Sequence, residues 1–170
     1  MEVYTKGDTV VYPMHGAGVI ENLEEHCIDG INCHYYVLRM PIGNLKIMVS
    51  MDSAVNKNIR NIMKADEIEQ AFREINLMPI IHIKEKWNRR YEENLSKIRS
   101  GNFKEHLFVY KSLYYRENQK GLSNVEKKML SNVKTIILSE IMLAYRASKE
   151  EAEEIFYNNF DLPAPRIVFA

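Results

Sequence analysis

The sequence predicts an α+β protein, in which a small antiparallel SH3-like β-barrel is followed by a compact all-helical domain. In the first sixty of the 170 residues, short runs of β-branched and aromatic residues alternate with glycine and proline turns, a pattern typical of a small antiparallel barrel. After Asn61 the apolar residues recur at intervals of three or four, as they do on one face of a helix. This change of period predicts a β domain at residues 1–60 and a helical domain at residues 61–170.

The β domain is built from short strands that tight turns connect. Strands are expected at residues 9–13, 19–27, 35–40 and 45–49. Pro13 ends the first of them, because proline lacks the N–H that a neighbouring strand would bond. Turns follow at 15–18 and 41–44, where glycine tolerates positive φ. Asp29 and Gly30 predict a two-residue hairpin, since a type I′ turn needs positive φ at both central residues.

The helical domain shows start and stop signals along its length. Helices are expected at residues 66–75, 83–98 and 103–116, and after two capping boxes, Ser123–Glu126 and Ser148–Glu151. In each box the serine and glutamate side chains satisfy backbone N–H groups that the first helical turn leaves unpaired. Asp66 with Glu69 is expected to cap the first helix. Pro79 interrupts the chain after that helix, and Gly101 ends the next one.

The charge of the chain is balanced overall but uneven along its length. It has 23 Lys and Arg against 23 Asp and Glu, yet residues 80–134 hold 13 basic and 6 acidic residues. The densest part, residues 84–90, surrounds the only tryptophan, Trp87. On a helix, one face would collect Lys86, Arg90 and Lys97. Such a face can neutralise a phosphate backbone, and an indole beside it can stack on a base or wedge between base steps.

Spacing alone leaves a plainer interpretation open. Trp87 is also in helical register with Ile83, Tyr91 and Ile98, so its ring could belong to the core of the helical domain. A run of charged residues is most often a solvated helix face. Lys127 and Lys128, near the start of the long helix, either extend the basic surface or are simply exposed.

The sequence argues against catalysis, metal binding and membrane insertion. Gly16 and Gly18 form an incomplete nucleotide-binding pattern, because a third glycine and a following helix are missing. The hairpin register puts Cys27 and Cys33 on opposite faces, which is unsuitable for zinc. His82 and His106 are expected to be surface or cap residues. No apolar stretch reaches the ~20 residues that span a bilayer. We therefore expect a cytoplasmic protein with no catalytic residues, cofactor or metal.

Several runs resemble a known family when they are taken together and in order. They are residues 7–16 (GDTVVYPMHG), 35–38 (YYVL), 87–91 (WNRRY), 100–102 (SGN) and 121–130 (GLSNVEKKML). These runs are similar to the CarD family of bacterial transcription regulators, and they extend over almost the whole chain. The first run is also similar to the RNA-polymerase-interacting domain of the transcription-repair coupling factor, but this sequence contains no helicase motor.

The resemblance implies that the chain acts on an open promoter complex. It implies a Tudor-like barrel that docks on the β subunit of RNA polymerase, so the protein would be nucleoid-associated through the polymerase. The helical domain then reaches promoter DNA at the upstream edge of the bubble, with weak sequence specificity. Trp87 is implied as the wedge at the junction of double and single strands, and Arg89 and Lys127 as phosphate contacts. Charge and spacing add Lys86, Arg90 and Lys128.

The resemblance also implies where the polymerase binds and where this chain differs from some relatives. The contact falls on His26 and on the strand that carries Leu45, Ile47, Met48 and Val49, by strand addition at a sheet edge. Met48 and His26 stand where some relatives carry arginine. Glu92 replaces a DNA-contacting lysine, and Ser50 replaces a frequent proline. We expect a more apolar polymerase contact and a weaker hold on DNA.

Two other functions are compatible with the sequence. In one, the chain is an adaptor on the polymerase whose helical domain recruits another protein while Trp87 is buried in the core. In the other, it is a sequence-specific operator-binding protein that binds DNA tightly without polymerase.

Overall fold

The computed structural model describes residues 3–56, 58–80 and 86–162, and it has the predicted α+β architecture. Within these ranges there is one antiparallel sheet, with strands β1 Thr9–Tyr12, β2 Gly16–Ile28, β3 Ile31–Arg39, β4 Lys46–Ser50 and β5 Arg60–Asn61. The strand order is β4-β3-β2-β1-β5. Strands β4 and β5 therefore form the two edges of the described sheet.

The described part of the chain contains six helices: α1 Met51–Asn56, α2 Ala65–Leu77, α3 Trp87–Arg99, α4 Phe103–Gln119, α5 Asn124–Tyr145 and α6 Lys149–Asn159. No described helix is long and apolar enough to cross a membrane. Neither α1 nor β5 was predicted from the sequence, because elements of six and two residues are too short to show a period. The expected helix start at residues 83–85 lies outside the described residues, as do His82 and Ile83.

The β2–β3 hairpin follows the prediction from its turn. Asp29 and Gly30 have φ of 51° and 79°, the positive values that a type I′ turn requires. The first turn differs from the expected one, because it occupies residues 13–15 and Gly16 already pairs with Tyr12 in the sheet. Strands β1 and β2 are thus joined by a turn that lies earlier in the chain than the glycine pattern predicted.

Two of the three predicted helix caps are confirmed. Ser123 Oγ accepts a hydrogen bond from the Glu126 backbone N–H at 3.3 Å, and Ser148 Oγ accepts one from Glu151 at 3.1 Å. The expected cap at Asp66 and Glu69 is wrong, because α2 begins earlier. There the Lys64 backbone N–H donates to the Glu67 carboxylate at 2.8 Å, so the residue three positions after Lys64 satisfies it.

Helix α5 is the element on which the sheet and helices α2, α4 and α6 pack. Its apolar residues at intervals of three or four are buried at Met129, Val133, Ile136, Ile137 and Ile141, whereas Val125 in its first turn is exposed. On the sheet side, the Ala17 backbone N–H donates to Ser139 Oγ at 2.9 Å. A Cβ on Gly16 would come within 2.6 Å of the same oxygen. The sheet and α5 therefore meet where the side chains are smallest.

A buried ion pair closes the same contact. The Glu140 side chain is 1% exposed and binds Arg60 Nη1 at 2.7 Å and Nη2 at 2.9 Å. It also accepts the Met63 backbone N–H at 2.9 Å, while Arg60 Nε donates to the Gly101 carbonyl at 2.9 Å. Charge-assisted bidentate hydrogen bonds of this kind are strong and directional. Since the two residues join the sheet to α5, we call Arg60 and Glu140 the joint pair.

His106 was expected at the surface or in a cap, and this expectation is wrong. Its side chain is fully buried in α4, where ring atom Nε2 lies 3.2 Å from the Ile98 carbonyl. Burial lowers the pKa of the imidazole below its ordinary value, because the charged form loses its hydration. A lone histidine carries no periodic signal that would have revealed this burial.

Candidate nucleic-acid interface

The first turns of α3 and α5 lie side by side although they are distant in sequence. Trp87 is the first residue of α3, and Ser123 is the residue that caps α5. The indole Nε1–H donates to Ser123 Oγ at 3.4 Å across 36 positions of sequence. Two helix N-termini therefore share one edge of the helical domain, and helix N-termini favour negatively charged groups. We call this edge the two-helix edge.

The indole of Trp87 is held at the surface of this edge. Its side chain is 43% exposed. One face stacks on Tyr91, with ring centroids 5.4 Å apart and an angle of 14° between the planes. The interpretation of Trp87 as a core residue is wrong: in α3 the apolar residue that is fully buried is Ile98, three turns further along. The tryptophan thus has a supported face and an accessible one.

Four of the cations predicted to bind DNA are exposed near the helix starts that form the two-helix edge. Lys86 is exposed and immediately precedes α3, and Arg89 in the first turn is 73% exposed and lies 3.0 Å from Glu93. Lys127 and Lys128 are exposed in the first turn of α5. Because the starts of α3 and α5 meet through the Trp87–Ser123 contact, one edge carries exposed cations that the sequence separates by more than thirty positions.

Arg90 has a different environment from these four. Its side chain is 17% exposed, and its Nε and Nη2 atoms lie 2.8 Å and 2.7 Å from Glu126 Oε1. Lys97, predicted on the same face, lies with its Nζ over the Phe108 ring at 5.6 Å. The expected phosphate-binding face of Lys86, Arg90 and Lys97 is therefore not a continuous exposed surface, and Arg90 is an internal partner of Glu126.

The Glu126 carboxylate is buried under this edge and is ionised by its partners. Burial by itself would raise the pKa of Glu126, but hydrogen bonds from Arg90 and from the Ser123 backbone and hydroxyl groups hold it below its usual value. In the sequence, Ser123 and Glu126 indicate only a helix cap. Arg90, three positions after Trp87, gave a basic residue near the indole. Its pairing with Glu126 spans 36 residues, however, and has no local sequence pattern.

The predicted polymerase-binding strand lies at an edge of the sheet. In β4 the side chains alternate between faces: Met48 is 49% exposed, whereas Val49 is 2% exposed and Ile47 packs against the core of the sheet. Leu45, just before the strand, is 62% exposed. Val49 is therefore unavailable as a side-chain contact, and only its backbone can take part in strand addition.

His26 shares a face with Met48. Met48 pairs with Val37 in β3, and Tyr35 lies on the same face two positions away. The His26 ring stands edge-on to Tyr35 with centroids 5.6 Å apart, and its Nε2 lies 2.9 Å from Glu24. The two side chains that replace the arginines of some relatives thus lie on one surface.

The predicted polymerase contacts nevertheless extend over a long surface. His26 pairs with Cys33, whereas Lys46, next to Leu45, pairs with Arg39 at the other end of β3. At ~3.3 Å per residue, the six positions from Cys33 to Arg39 span about 20 Å. His26 and Leu45 therefore cannot contact one small feature of a partner.

Neither surface has the composition of a metal centre. In the ranges that the structure describes, no group of three or more histidine, cysteine, aspartate or glutamate residues is placed to hold a metal ion. Cys27 and Cys33 are both free thiols. The chemistry available at the two-helix edge is stacking on the indole together with hydrogen bonding and ion pairing by the cations.

Comparisons with known proteins match the two parts of the chain to two family models. Residues 4–63 match the model of the CarD-like/TRCF RID domain, and residues 79–157 match that of the CarD C-terminal domain. A protein of Bacillus subtilis (strain 168) that bears the name "Putative transcription factor YdeB" is 36% identical over 141 residues. The similarity covers 79% of this chain and 88% of that protein.

Proposed function

Because the chain belongs to the CarD family of transcription regulators, we propose that it stabilises the open promoter complex while bound to the β subunit of RNA polymerase. The sheet binds the polymerase, and the two-helix edge contacts promoter DNA at the upstream end of the bubble. The observation that carries this proposal is the exposed, supported indole of Trp87, on an edge where two helices that carry exposed cations begin. The protein acts without catalysis.

The indole can distinguish melted DNA from closed duplex. Its free face can stack on a base or fill the step at which the two strands separate, and such a step is available only once the strands have parted. A protein shifts an equilibrium only by binding one state more tightly than the other. Because Tyr91 and Ser123 already hold the ring, little conformational entropy is lost when it inserts.

The exposed cations of the two-helix edge can contact the phosphate backbone of DNA. The ion pairs of Arg89 with Glu93 and of Lys127 with Glu117 are exposed, and exposed pairs contribute little free energy. A phosphate can therefore replace either carboxylate at small cost. Since the whole chain has no net charge, we expect weak binding to free DNA, and docking on polymerase supplies the effective concentration that makes weak contacts sufficient.

The edge strand β4 suits the polymerase contact. Its outer backbone groups are directed away from β3 and can accept an added strand. Leu45 and Met48 provide exposed apolar side chains beside that edge. The proposal that His26, Leu45, Met48 and the backbone of Ile47 and Val49 bind polymerase rests on this geometry.

The central test measures the lifetime of open complexes formed by purified polymerase. We expect Trp87→Ala to return the lifetime towards the value without the factor, because the wedge is lost while the sheet is unchanged. Tyr157→Ala is the matched control, since Tyr157 is an exposed aromatic residue on α6. A Trp87→Ala protein that binds polymerase and still extends the lifetime as the original does would overturn the proposal.

A salt titration tests the phosphate contacts separately. Each lost phosphate contact is expected to lower the slope of log K against log salt by about one. Arg89→Ala and Lys127→Ala should each do this in the DNA-dependent part of binding. Arg73→Ala, on the exposed surface of α2, should leave the slope unchanged. Equal slopes for all three variants would remove Arg89 and Lys127 from the interface.

A further inference from the structure

We propose that Arg90 and Glu126 form a positioning pair that fixes the orientation of the Trp87 indole. The inference rests on the proposed function, because it concerns how the wedge is held and not whether it acts. Arg90 is an internal residue, with Nε and Nη2 at 2.8 Å and 2.7 Å from Glu126 Oε1. It lies one turn from the start of α3, while Glu126 lies in the first turn of α5.

The two oxygens of the Glu126 carboxylate serve different helices. Oε1 accepts both hydrogen bonds from Arg90 on α3. Oε2 accepts from the Ser123 backbone N–H at 3.2 Å and from the Ser123 hydroxyl at 3.1 Å, both at the start of α5. One buried carboxylate therefore ties the first turn of α3 to the cap of α5.

The same contacts lead directly to the indole. Ser123 Oγ, which donates to Glu126, accepts the indole Nε1–H of Trp87 at 3.4 Å. Tyr91, the neighbour of Arg90 in sequence, stacks on one face of the indole. The edge and one face of the ring are thus held by residues whose own positions depend on the Arg90–Glu126 contact.

The location of this pair explains why a buried charge is useful here. Trp87 is the first residue of α3, and the first turn of a helix lacks half of its backbone hydrogen bonds. An exposed pair such as Arg89–Glu93 lies on the same turn but is open to water and therefore holds the helix only weakly. The Arg90–Glu126 pair is sheltered and charge-assisted, so it can prevent that turn from moving.

Glu126→Gln is the sharpest variant. Glutamine is an acceptable third residue of a capping box, but its amide has one oxygen and one NH2 group. If the oxygen faces Arg90, the NH2 faces the Ser123 N–H, and the reverse orientation sets the NH2 against Arg90. Either way one helix loses its partner. Glu93→Gln is the matched control, because it makes the same change in the exposed Arg89–Glu93 pair of α3, the helix that carries Arg90.

The free protein provides the first measurement, because Trp87 is the only tryptophan. We expect Glu126→Gln to lower the fluorescence anisotropy of the indole and to increase its quenching by acrylamide, a neutral quencher that local charge does not bias. Arg90→Met should give the same change, and the double variant should be no worse than either single one. Glu93→Gln should match the original protein. Unchanged anisotropy and quenching in both folded single variants would overturn the inference.

The second measurement is the open-complex lifetime with saturating polymerase. Glu126→Gln and Arg90→Met should each reduce the factor-dependent extension by about tenfold, the size expected for a lost hydrogen bond to a charged group. Arg90→Lys should recover part of it, because it keeps the charge. If Trp87→Ala shortens the lifetime while both pair variants preserve it, the inference fails and the proposed function stands. If Trp87→Ala has no effect, the proposed function fails, and the fluorescence measurements alone decide the inference.

Discussion

Two glutamates of α5 each bind an arginine from another part of the chain. One pair holds the sheet on α5, and the other holds the start of α3 beside the indole. In the joint pair, Glu140 binds Arg60 at the end of the sheet. In the positioning pair, Glu126 binds Arg90 beside the indole. The two glutamates are fourteen residues apart on one helix, or about 21 Å. Helix α5 thus connects the proposed polymerase-binding half to the proposed DNA-binding edge.

The difference between the pairs lies in what surrounds them. The Glu140 carboxylate also accepts a backbone N–H from Met63, and Arg60 also donates to the Gly101 carbonyl, so the joint pair secures several connections at once. Within the described residues, the Glu126 carboxylate binds the first turn of α3 and the cap of α5. The same chemistry therefore stabilises the whole molecule in one place and orients one side chain in the other.

The largest effect is expected from breaking the joint pair. Glu140→Ala leaves the Arg60 charge and the Met63 N–H without their partner, so the free energy of unfolding should fall by about 3–5 kcal/mol. Urea unfolding followed by circular dichroism measures it. Glu74→Ala, which breaks an exposed pair with Lys104, should unfold close to the original protein. Similar curves for the two variants would show that the joint pair does not hold the sheet on α5.

The next effect concerns the close approach of the same two elements. Gly16 has φ of 98°, and a Cβ there would lie 2.6 Å from Ser139 Oγ. Gly16→Ala should therefore lower the free energy of unfolding by about 2–4 kcal/mol, from backbone strain and overpacking together. Gly30→Ala is the control, because Gly30 has φ of 79° but open space around it. An equal cost for both would mean that the contact with α5 contributes nothing.

A smaller loss of stability is expected at the positioning pair, and it should be accompanied by a different signal. Arg90→Met should lower the free energy of unfolding by about 1–3 kcal/mol and change the Trp87 fluorescence of the folded protein. Arg60→Met should be more destabilising and should leave that fluorescence unchanged. If Arg60→Met also changed the Trp87 fluorescence of the folded protein, the two pairs would not be independent.

The smallest effect is a dependence on pH near the joint pair. Burial lowers the pKa of His106 from its usual 6.5, although the nearby Glu140 and Glu105 carboxylates oppose this and Arg60 adds to it. Below pH 6.5 the unfolded chain binds a proton that the folded one resists, so stability is lost as the pH falls through that range. His106→Gln should flatten this part of the curve in urea unfolding at several pH values. The same slope in both proteins would contradict the assignment.

Local patterns predicted several elements correctly, although the equally local cap at Asp66 and Glu69 was wrong. The Asp29-Gly30 turn and the two serine–glutamate caps involve residues within three positions of one another, and all three are found. Arg90 illustrates the opposite case, because its charge and helical spacing suggested an exposed cation. Its partner, Glu126, comes from a segment 36 residues later. A surface role and a buried pair have the same local signature.

The sequence by itself determined the α+β class, the hairpin, two of the three predicted helix caps and the presence of one tryptophan in a basic segment, because each follows from backbone preferences or composition over a few residues. Only the tertiary structure decided that Trp87 is exposed, that Val49 is buried, and that α3 and α5 begin side by side. These outcomes depend on which surfaces pack together, and such packing brings together groups that no short-range pattern connects.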